Sequence, residues 1–360
     1  MPPLYLDHAA TTPMTPRAMA AVAQGMARWA NPSSPHAAGR AARASLEGAR
    51  AAIGAAYGWD GEVLLTSGAS ESLAIALGRS AMPRRLVTAV EHDAVLRAAS
   101  DAPRIAVGPD GLLDTAALAS ALADGPAVVA VQWANSETGV IQPVAALAEQ
   151  VHAAGALLLL DAAQMPPGAD RQAIVAADLV ALSAHTHGGP PGTGALLVRD
   201  LGVLHPTGGQ ERGYRPGTEN LPGATGHAAA LAEPADLHRL ASLRARLDDA
   251  VVRSGGEVVA GGTRRYPAIG SYRLPGVAAA AQLIRLDMAG FQVSAGSACA
   301  SGSMKPSHVL AAMGWEEGAS REVIRVSLGR DTTADEVGAF ITAWRSMARA
   351  TNRWFGETGA

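Results

Sequence analysis

Four side chains that could do chemistry stand at or just after the ends of short apolar runs: Asp161, Ser183, His185 and His92. We expect these runs to be strands, and open α/β sheets bind ligands at the carboxyl ends of their strands. A buried carboxylate such as Asp161 needs a partner, and a protonated ring nitrogen would serve. His92 could stack on a planar ring. Two plainer interpretations stay open, in which Asp161 caps the next helix and His92 is an ordinary hydrogen-bonded loop histidine.

A candidate anion site follows the apolar run EVLLT. The segment TSGASES (66–72) combines a turn at Gly68 with the start of a helical stretch. A helix N-terminus offers free backbone N–H groups and the positive end of the helix dipole, and Ser70 could add a hydroxyl. The alternative is a plain serine N-cap without a ligand.

Two further candidates lie near the C-terminus. Cys299 is the only cysteine and lies in the glycine/serine-rich segment SAGSACASGSMKPS (294–307). An accessible thiol in such a segment is a potential nucleophile, although the residue could also be incidental. Arg325 lies in the apolar run REVIRVSLGR (321–330). A buried guanidinium needs a carboxylate or phosphate, which a ligand or an internal ion pair could supply.

The elements that must position these residues alternate along the chain. Short and almost continuously apolar segments predict buried strands at 62–66, 85–90, 127–134, 156–162, 178–185 and 194–200. Helical spacing of apolar residues predicts a helix between Pro143 and Ala154. This alternation implies an α/β fold with a mainly parallel sheet covered by helices on both faces. Beyond about residue 250 the pattern changes, which predicts a large domain over 1–250 and a smaller C-terminal α+β domain over 251–360. We expect about the first 12 residues to pack with the small domain.

The composition is that of an ordinary globular protein. The 360 residues are 48% hydrophobic, carry a net charge of −3 and include one cysteine. No basic patch favours nucleic acid, no apolar run is long enough to span a membrane, and the N-terminal residues lack the features of an export signal. We therefore expect a cytoplasmic location and no metal site. Lys305 is the only lysine, so chemistry that depends on lysine has one candidate.

Taken together, these segments resemble the cysteine desulfurases, which are pyridoxal 5′-phosphate (PLP) enzymes of the class V aminotransferase family with the fold-type I architecture. The resemblance keeps its order along nearly the whole chain. Its motifs are YLDHAATTP (5–13), NPSSPHAAGR (31–40), TSGASES (66–72), EHDAVL (91–96), WANSETGVIQP (133–143), LLDAAQ (159–164), SAHTHGGPPGTG (183–194), GGQERGYRPGTEN (208–220), SAGSACASGSMKPSHVL (294–310) and IRVSLGR (324–330). The long cysteine segment is similar to the branch of the family with an extended loop.

The resemblance implies a phosphate site shared between two subunits. Ala69 and Ser70, together with Ser183 and His185, would hold the cofactor phosphate. Thr218 would reach the phosphate in the other subunit, which implies a homodimer with shared active sites.

The resemblance also assigns the contacts to the cofactor ring. His92 would stack on the pyridine ring, and Asp161 would pair with the ring nitrogen. That pairing keeps the nitrogen protonated, so the ring can act as an electron sink. Asn135 and Gln164 would contact the ring hydroxyl.

The implied substrate is L-cysteine. Arg325, helped by Asn31, would bind its carboxylate, and Cys299 would attack its sulfur. The products would be L-alanine and a persulfide on Cys299, which supplies an iron–sulfur scaffold or another sulfur acceptor. Lyase or transamination chemistry on another amino acid is an alternative because the fold supports many reactions, but the retained cysteine segment argues against it.

One residue departs from the family pattern at the centre of its chemistry. Thr186 stands where the family has the lysine that forms a Schiff base with PLP and moves the proton at the substrate α-carbon. Threonine has no amine, and its hydroxyl is far too weak a base at neutral pH. Two milder departures are Ser70 in place of the usual threonine and Ser136 in place of the usual asparagine.

Three explanations of Thr186 stay open. The protein could bind PLP noncovalently as a slow or inactive homologue that acts as a partner subunit or persulfide carrier. Thr186 could have been introduced deliberately to trap an adduct of cofactor and substrate, although the unusual His187 favours natural divergence. Lys305, six residues after Cys299, could supply the amine. A cofactor-binding pseudoenzyme is therefore the alternative to an active sulfurtransferase.

Overall fold

The computed structural model describes residues 3–296 and 306–358, with side chains as far as residue 350. The strands of this part of the chain are β1 (Leu4–Tyr5), β2 (Glu62–Thr66), β3 (Arg85–Thr88), β4 (Arg104–Ile105), β5 (Val128–Gln132), β6 (Leu157–Asp161), β7 (Leu179–Ser183), β8 (Gly194–Val198), β9 (Glu257–Val258), β10 (Ile269–Arg273), β11 (Phe291–Gln292) and β12 (Val323–Ser327). The helices are α1 (Pro16–Ala27), α2 (Ala37–Tyr57), α3 (Ala69–Gly78), α4 (Asp93–Ala98), α5 (Thr115–Leu122), α6 (Val144–Ala153), α7 (Arg171–Ala176), α8 (Leu221–Leu231), α9 (Leu237–Val252), α10 (Ala279–Met288), α11 (His308–Ala312), α12 (Glu317–Ser320) and α13 (Ala334–Thr358).

The central sheet has the strand order β2-β8-β7-β6-β5-β3-β4. Strand β8 runs antiparallel to both of its neighbours, and the pairs from β7 through β6, β5 and β3 to β4 are parallel. The prediction of a mainly parallel sheet is therefore confirmed. Because parallel strands end at the same edge, the residues that follow β3, β5, β6 and β7 are brought together there.

Both faces of the sheet are buried, as the continuous apolar runs predict. Along β6, Leu158 and Leu160 belong to one hydrophobic cluster while Leu159 belongs to another on the opposite face. Leu46 of α2 and Leu147 of α6 belong to the first cluster, and α3 packs in the second. Helices thus cover the sheet on both sides and hold its carboxyl edge in place.

The C-terminal part forms its own small sheet, in which β10 pairs antiparallel with β9 and with β12. The first strand of the chain joins this part, since Leu4 and Tyr5 of β1 pair in parallel with Phe291 and Gln292 of β11. The division into two domains at residue 250 stays a prediction, and α9 runs through that position. No helix in the described ranges is long and apolar enough to cross a membrane.

Candidate active site

The carboxyl edge of the sheet collects the predicted chemical groups. Asp161 is the last residue of β6 and Ser183 the last residue of β7. His92 follows β3 and caps α4, where its Nδ1 accepts a hydrogen bond of 3.1 Å from the Ala94 N–H. The imidazole lies close enough to Asp161 to affect the pKa of that carboxyl group. His92 is exposed.

Asp161 is a buried carboxyl group with unused hydrogen-bonding capacity. Its Oδ1 accepts a hydrogen bond of 3.0 Å from the Ala163 N–H, and its Oδ2 has no hydrogen-bond partner among the described residues. Burial raises the pKa of Asp161, while the Ala163 N–H and His92 oppose that rise. The next helix, α7, is capped by Asp170, so Asp161 does not cap it. A cationic ring nitrogen would stabilise the ionised form of Asp161 and lower its pKa.

The segment after β2 forms an open anion cradle. Helix α3 begins at Ala69 with Gly68 as its N-cap, and no side chain caps it, so the alternative of a serine N-cap is wrong. The first N–H groups of the helix therefore point out without an intrahelical acceptor. Ser70, in the first turn, is exposed.

Two glycines bring this cradle to the end of β7. Gly194 of β8 is paired in register with Ser183. A Cβ atom at Gly194 would lie 2.6 Å from the Cα of Gly68, so only glycine permits this close approach of the two backbones. The start of α3 and the Ser183 hydroxyl consequently face the same space. His185 follows, with its Nδ1 3.2 Å from the Thr11 hydroxyl and its pKa lowered by burial.

Thr186 lies in a short 3₁₀ turn, His185–His187, directly beside this space. Its Oγ1 donates to the Ala163 carbonyl at 2.6 Å and lies 3.3 Å from the Ser183 carbonyl. Its own carbonyl accepts from the Thr12 hydroxyl at 3.0 Å. The Thr186 hydroxyl is therefore fixed by hydrogen bonding to backbone carbonyl groups. A hydroxyl group is also a weak base at neutral pH.

The neighbouring histidine does not replace the missing amine. Burial is the main cause that lowers the pKa of His187, to about 3, and it lowers the pKa of the nearby His227 to about 4. The Nε2 of His187 and both ring nitrogens of His227 have no hydrogen-bond partner among the described residues. Both rings are neutral at physiological pH, and an imidazole cannot form the imine that a lysine forms.

Asn135 and Gln164, the predicted contacts to the ring hydroxyl, are engaged within the chain. The Asn135 side chain donates to the Val90 carbonyl at 3.2 Å and to Gln132 Oε1 at 3.0 Å, and its Oδ1 accepts from the Thr138 N–H at 2.8 Å. Gln164 donates from Nε2 to the Ala9 carbonyl at 3.0 Å. Their amides are thus rigidly oriented at the ends of β5 and β6.

Arg325 lies in β12, where it is 5% exposed, and its side chain has two hydrogen-bond partners among the described residues. Its guanidinium donates to Asp7 Oδ1 at 2.8 Å and to the Ser136 carbonyl at 2.9 Å. Its Nε has no hydrogen-bond partner among the described residues. The internal ion pair, one of the two interpretations of the sequence, is therefore present. Two of the five N–H groups of the guanidinium have acceptors among the described residues, and the Nε–H is one of the three that do not.

The other predicted residues are not joined to this cluster. Asn31 is exposed and accepts a hydrogen bond of 2.9 Å from the Ser33 N–H. Thr218 is also exposed, and its predicted contact with a second subunit stays a prediction. Cys299 and Lys305 lie outside the described residues.

The structure adds a buried acid that the sequence analysis missed. Glu91 is fully buried, and its Oε1 accepts from the Thr88 hydroxyl at 2.6 Å and from the Gln132 N–H at 2.8 Å. Burial is the main cause that raises the pKa of Glu91 to about 8, and the nearby Asp161 adds to it. Its position directly before His92, at the end of an apolar run, was the signal that could have identified it.

Comparison with known proteins agrees with this geometry. The model of the aminotransferase class-V family matches residues 4–340, and the chain belongs to that family. The chain is 39% identical to a cysteine desulfurase of Cereibacter sphaeroides, covering 93% of this chain and 92% of the relative. It is 39% identical to a cysteine desulfurase of Bradyrhizobium diazoefficiens, covering 98% of each. Within the class V aminotransferases, the chain therefore belongs to the cysteine desulfurase family.

Solved structures lead to the same family. The NifS-like protein from Rickettsia africae superposes with a TM-score of 0.85 at 28% identity, covering 96% of this chain and 99% of that one. DndA from Streptomyces lividans superposes with a TM-score of 0.72 at 32% identity, covering 90% of this chain and 99% of that one. The fold is that of the PLP-dependent cysteine desulfurases.

Proteins of this family depend on PLP, and the residues present fit the noncovalent part of its site. The Gly68–Gly194 contact leaves a cradle with uncapped helix N–H groups for a phosphate. The free Oδ2 of Asp161 suits a protonated ring nitrogen, and the exposed His92 can cover the ring. The covalent part does not fit, because Thr186 provides no amine.

Proposed function

We propose that this protein binds PLP noncovalently and binds L-cysteine, and that it transfers the substrate sulfur to Cys299. The observation that supports the proposal is the buried Asp161 at the carboxyl end of β6, which has one hydrogen-bond donor, the Ala163 N–H, on its carboxyl group among the described residues. A buried carboxyl group without a cation is costly, and the ring nitrogen of PLP would supply that cation. The low rate that we expect follows from Thr186.

The cofactor would be held by groups already in place. The first N–H groups of α3, at Ala69 and Ser70, would bind its phosphate with the Ser183 hydroxyl and His185. Thr218 of a second copy of the chain would complete that site, which makes the proposed unit a homodimer. When bound, PLP supplies an electron sink for the substrate.

The ring would be held on one face and along its edge. His92 would stack on it, and Asp161 would keep its nitrogen protonated. The Asn135 and Gln164 amides, which their internal hydrogen bonds orient, would lie near its hydroxyl group. Burial of Asp161 and Asn135 limits access of water and strengthens the Asp161 interaction.

The substrate would be fixed by its carboxylate and attacked at its sulfur. The free Nε–H of Arg325 would bind the carboxylate, with Asn31 assisting. The thiolate of Cys299 would then form a sulfur–sulfur bond while the carbon–sulfur bond of L-cysteine breaks. The electron pair of the broken bond stays on the substrate carbon, which takes a proton and gives L-alanine. Cys299 is left as a persulfide, and no external oxidant is needed.

Thr186 limits this reaction because its hydroxyl cannot move the proton at the substrate α-carbon. The hydroxyl is weakly basic and already donates to the Ala163 carbonyl. This observation also supports a second candidate function, a PLP-binding pseudoenzyme that carries a persulfide or acts as a partner subunit. In either case we infer a cytoplasmic protein that works with a sulfur acceptor such as an iron–sulfur scaffold.

Titration with PLP tests the proposal. We expect saturable binding with a change in the cofactor absorbance, and no pyridoxyl-lysine peptide after reduction with borohydride. A pyridoxyl-Lys305 peptide would show that Lys305 supplies the amine. An empty or blocked pocket after soaking crystals in PLP would overturn the assignment. Release of alanine and sulfide from L-cysteine then separates the slow enzyme from the pseudoenzyme.

A further inference from the structure

Glu71 places a negative charge in the first turn of α3, beside the anion cradle. It is the third residue of the helix, and its Oε2 accepts a hydrogen bond of 2.5 Å from the Ser67 N–H, just before the helix. A glutamate at this position commonly reaches back to a preceding N–H group in this way. The contact fixes the turn at Ser67 and Gly68, but it also brings a carboxylate to the helix end that would bind a phosphate.

Arg215 offsets the charge of this carboxylate. Its Nε donates to Glu71 Oε1 at 3.0 Å and lies 3.1 Å from Oε2, and both side chains are mostly buried. Burial by itself raises the pKa of Glu71, whereas hydrogen bonds from Ser67 and the charge of Arg215 lower it, so that the pKa falls below the ordinary value of 4.5. Glu71 is therefore ionised at neutral pH and forms an ion pair with Arg215.

The loop 208–217 brings the arginine to α3 and is anchored on β2. Within the loop, Glu211 is buried, and its Oε2 accepts from the Leu65 N–H of β2 at 2.8 Å. Arg50 of α2 donates to the two carboxylate oxygens of Glu211 at 2.5 and 2.9 Å and to the Val63 carbonyl at 2.6 Å. Because β2 is the terminal strand in the order of the central sheet, this ion pair binds backbone groups at the sheet edge.

The backbone of this loop adopts an unfavourable conformation to make these contacts. Glu211 and Arg212 have φ angles of 50° and 58°, in the left-handed region that residues with a Cβ atom disfavour. Gly209 and Gly213, at 94° and 89°, tolerate positive φ angles. Such strain persists only where the surrounding structure holds it, and here the buried ion pair of Glu211 does so. The position of Arg215 is therefore set by the fold and not by Glu71 alone.

Compensation of Glu71 matters because a phosphate monoester carries about two negative charges at neutral pH. The first N–H groups of α3 and the helix dipole attract such an anion, whereas an unpaired carboxylate in the same turn would repel it. Water and salt screen charges in a partly buried site less than charges at the surface. Loss of the charge of Arg215 would therefore weaken the cradle for phosphate.

We propose that Arg215 is a positioning residue for the cofactor phosphate, because it compensates the charge of Glu71 and so lets the N-terminus of α3 bind a phosphate monoester. This inference rests on the proposed function, in which that helix holds the phosphate of PLP. Arg215 acts through Glu71, which in turn holds the Ser67 N–H.

Equilibrium dialysis with PLP tests this role in the Thr186 chain. Arg215→Gln puts an amide nitrogen at the place of Nε and removes the charge, and we expect it to weaken PLP binding by about tenfold. Glu71→Gln keeps an oxygen for the Ser67 N–H and leaves Arg215 unpaired, so it should bind PLP more tightly than the parent by about two- to tenfold. The double variant should return to within about twofold of the parent.

Arg212→Gln is the matched control. Arg212 lies on the same loop and forms an ion pair with Glu62, which begins β2, whereas the cradle follows the other end of that strand. Four steps of extended chain separate the two ends by about 13 Å, so this variant should change PLP binding by less than about twofold. Circular dichroism checks the folding of every variant.

The same series is titrated with inorganic phosphate, followed by phosphorus NMR, and we expect the same order of affinities. The proposal is overturned if Arg215→Gln binds phosphate as tightly as the parent, or if Glu71→Gln binds it no more tightly. A double variant as weak as Arg215→Gln would also overturn it, since the loop would then act through its shape and not its charge. A parent that binds phosphate but not PLP would contradict the proposed function, while the phosphate series still decides the role of Arg215. A parent that binds neither anion would overturn both.

Discussion

The hydroxyl of Thr186 donates a hydrogen bond of 2.6 Å to the backbone carbonyl of Ala163, two residues beyond Asp161. The threonine is thus attached to the same strand end that supplies the proposed partner of the cofactor ring. This contact gives Thr186 a structural role at the position where the sequence resemblance predicts a lysine. The site can therefore keep its structure without the primary amine of a lysine side chain.

Thr186→Lys should restore a covalent cofactor bond and raise the release of sulfide and alanine from L-cysteine. A positioned general base contributes about 10²–10⁴-fold, which sets the expected gain. The measurement is the initial rate with saturating PLP, together with borohydride reduction and peptide mapping. Thr186→Arg is the control, since it adds length and charge without a primary amine. No gain in folded, PLP-loaded Thr186→Lys would mean that other residues also prevent turnover.

Asp161→Asn should weaken PLP binding while the protein stays folded. An ionised acceptor facing a cationic donor contributes about 1.5–3 kcal/mol, so we expect a loss of about 10- to 100-fold in affinity. The dissociation constant is measured by titration of the cofactor absorbance, with circular dichroism as the check on folding. Equal affinity in the variant and the parent would remove Asp161 from the cofactor site.

Glu91 should make the unliganded protein less stable as the pH rises. Its pKa in the folded protein is about 8, above the ordinary value of 4.5, so the folded state binds the extra proton between these values. The stability that this group contributes is complete below about pH 4.5 and is lost as the pH rises through about 8. Glu91→Gln removes this dependence. Urea unfolding at pH 5 and pH 8 measures the free energy of unfolding of both proteins. Relative to the parent, Glu91→Gln should be more stable at pH 8 than at pH 5. An equal difference between the two proteins at both pH values would contradict the raised pKa of Glu91.

Asp7→Ala should destabilise the fold through Arg325. The guanidinium is buried, and among the described residues it would keep only the Ser136 carbonyl as a partner. Leaving a buried charge without its counterion costs about 3–5 kcal/mol, and the remaining hydrogen bond reduces the expected loss to about 2–3 kcal/mol. Denaturant unfolding measures it. The exposed pair of Arg253 and Asp249 provides the control, because Asp249→Ala should change stability by about 0.5 kcal/mol or less.

Much of the secondary structure could be predicted from local sequence patterns. The runs at 62–66 and 194–200 became β2 and β8, and the helix predicted from Pro143 to Ala154 became α6. These elements were predictable because hydrophobic periodicity and turn residues act within a few positions of the chain. The strand-end rule then placed Asp161 and Ser183 at one edge without any knowledge of their contacts.

The partners of the site residues were not predictable in this way. Arg325 pairs with Asp7, and Arg215 pairs with Glu71, across 318 and 144 positions of the chain. Such pairs depend on how strands and helices pack against each other, which no local pattern encodes. By itself, the sequence determined most of the elements, the order of the chemical groups and the presence of threonine at position 186. Only the tertiary structure decided which buried polar groups have hydrogen-bond partners and which, like Arg325 Nε, have none among the described residues, because burial and hydrogen bonding are properties of packed elements rather than of residue types.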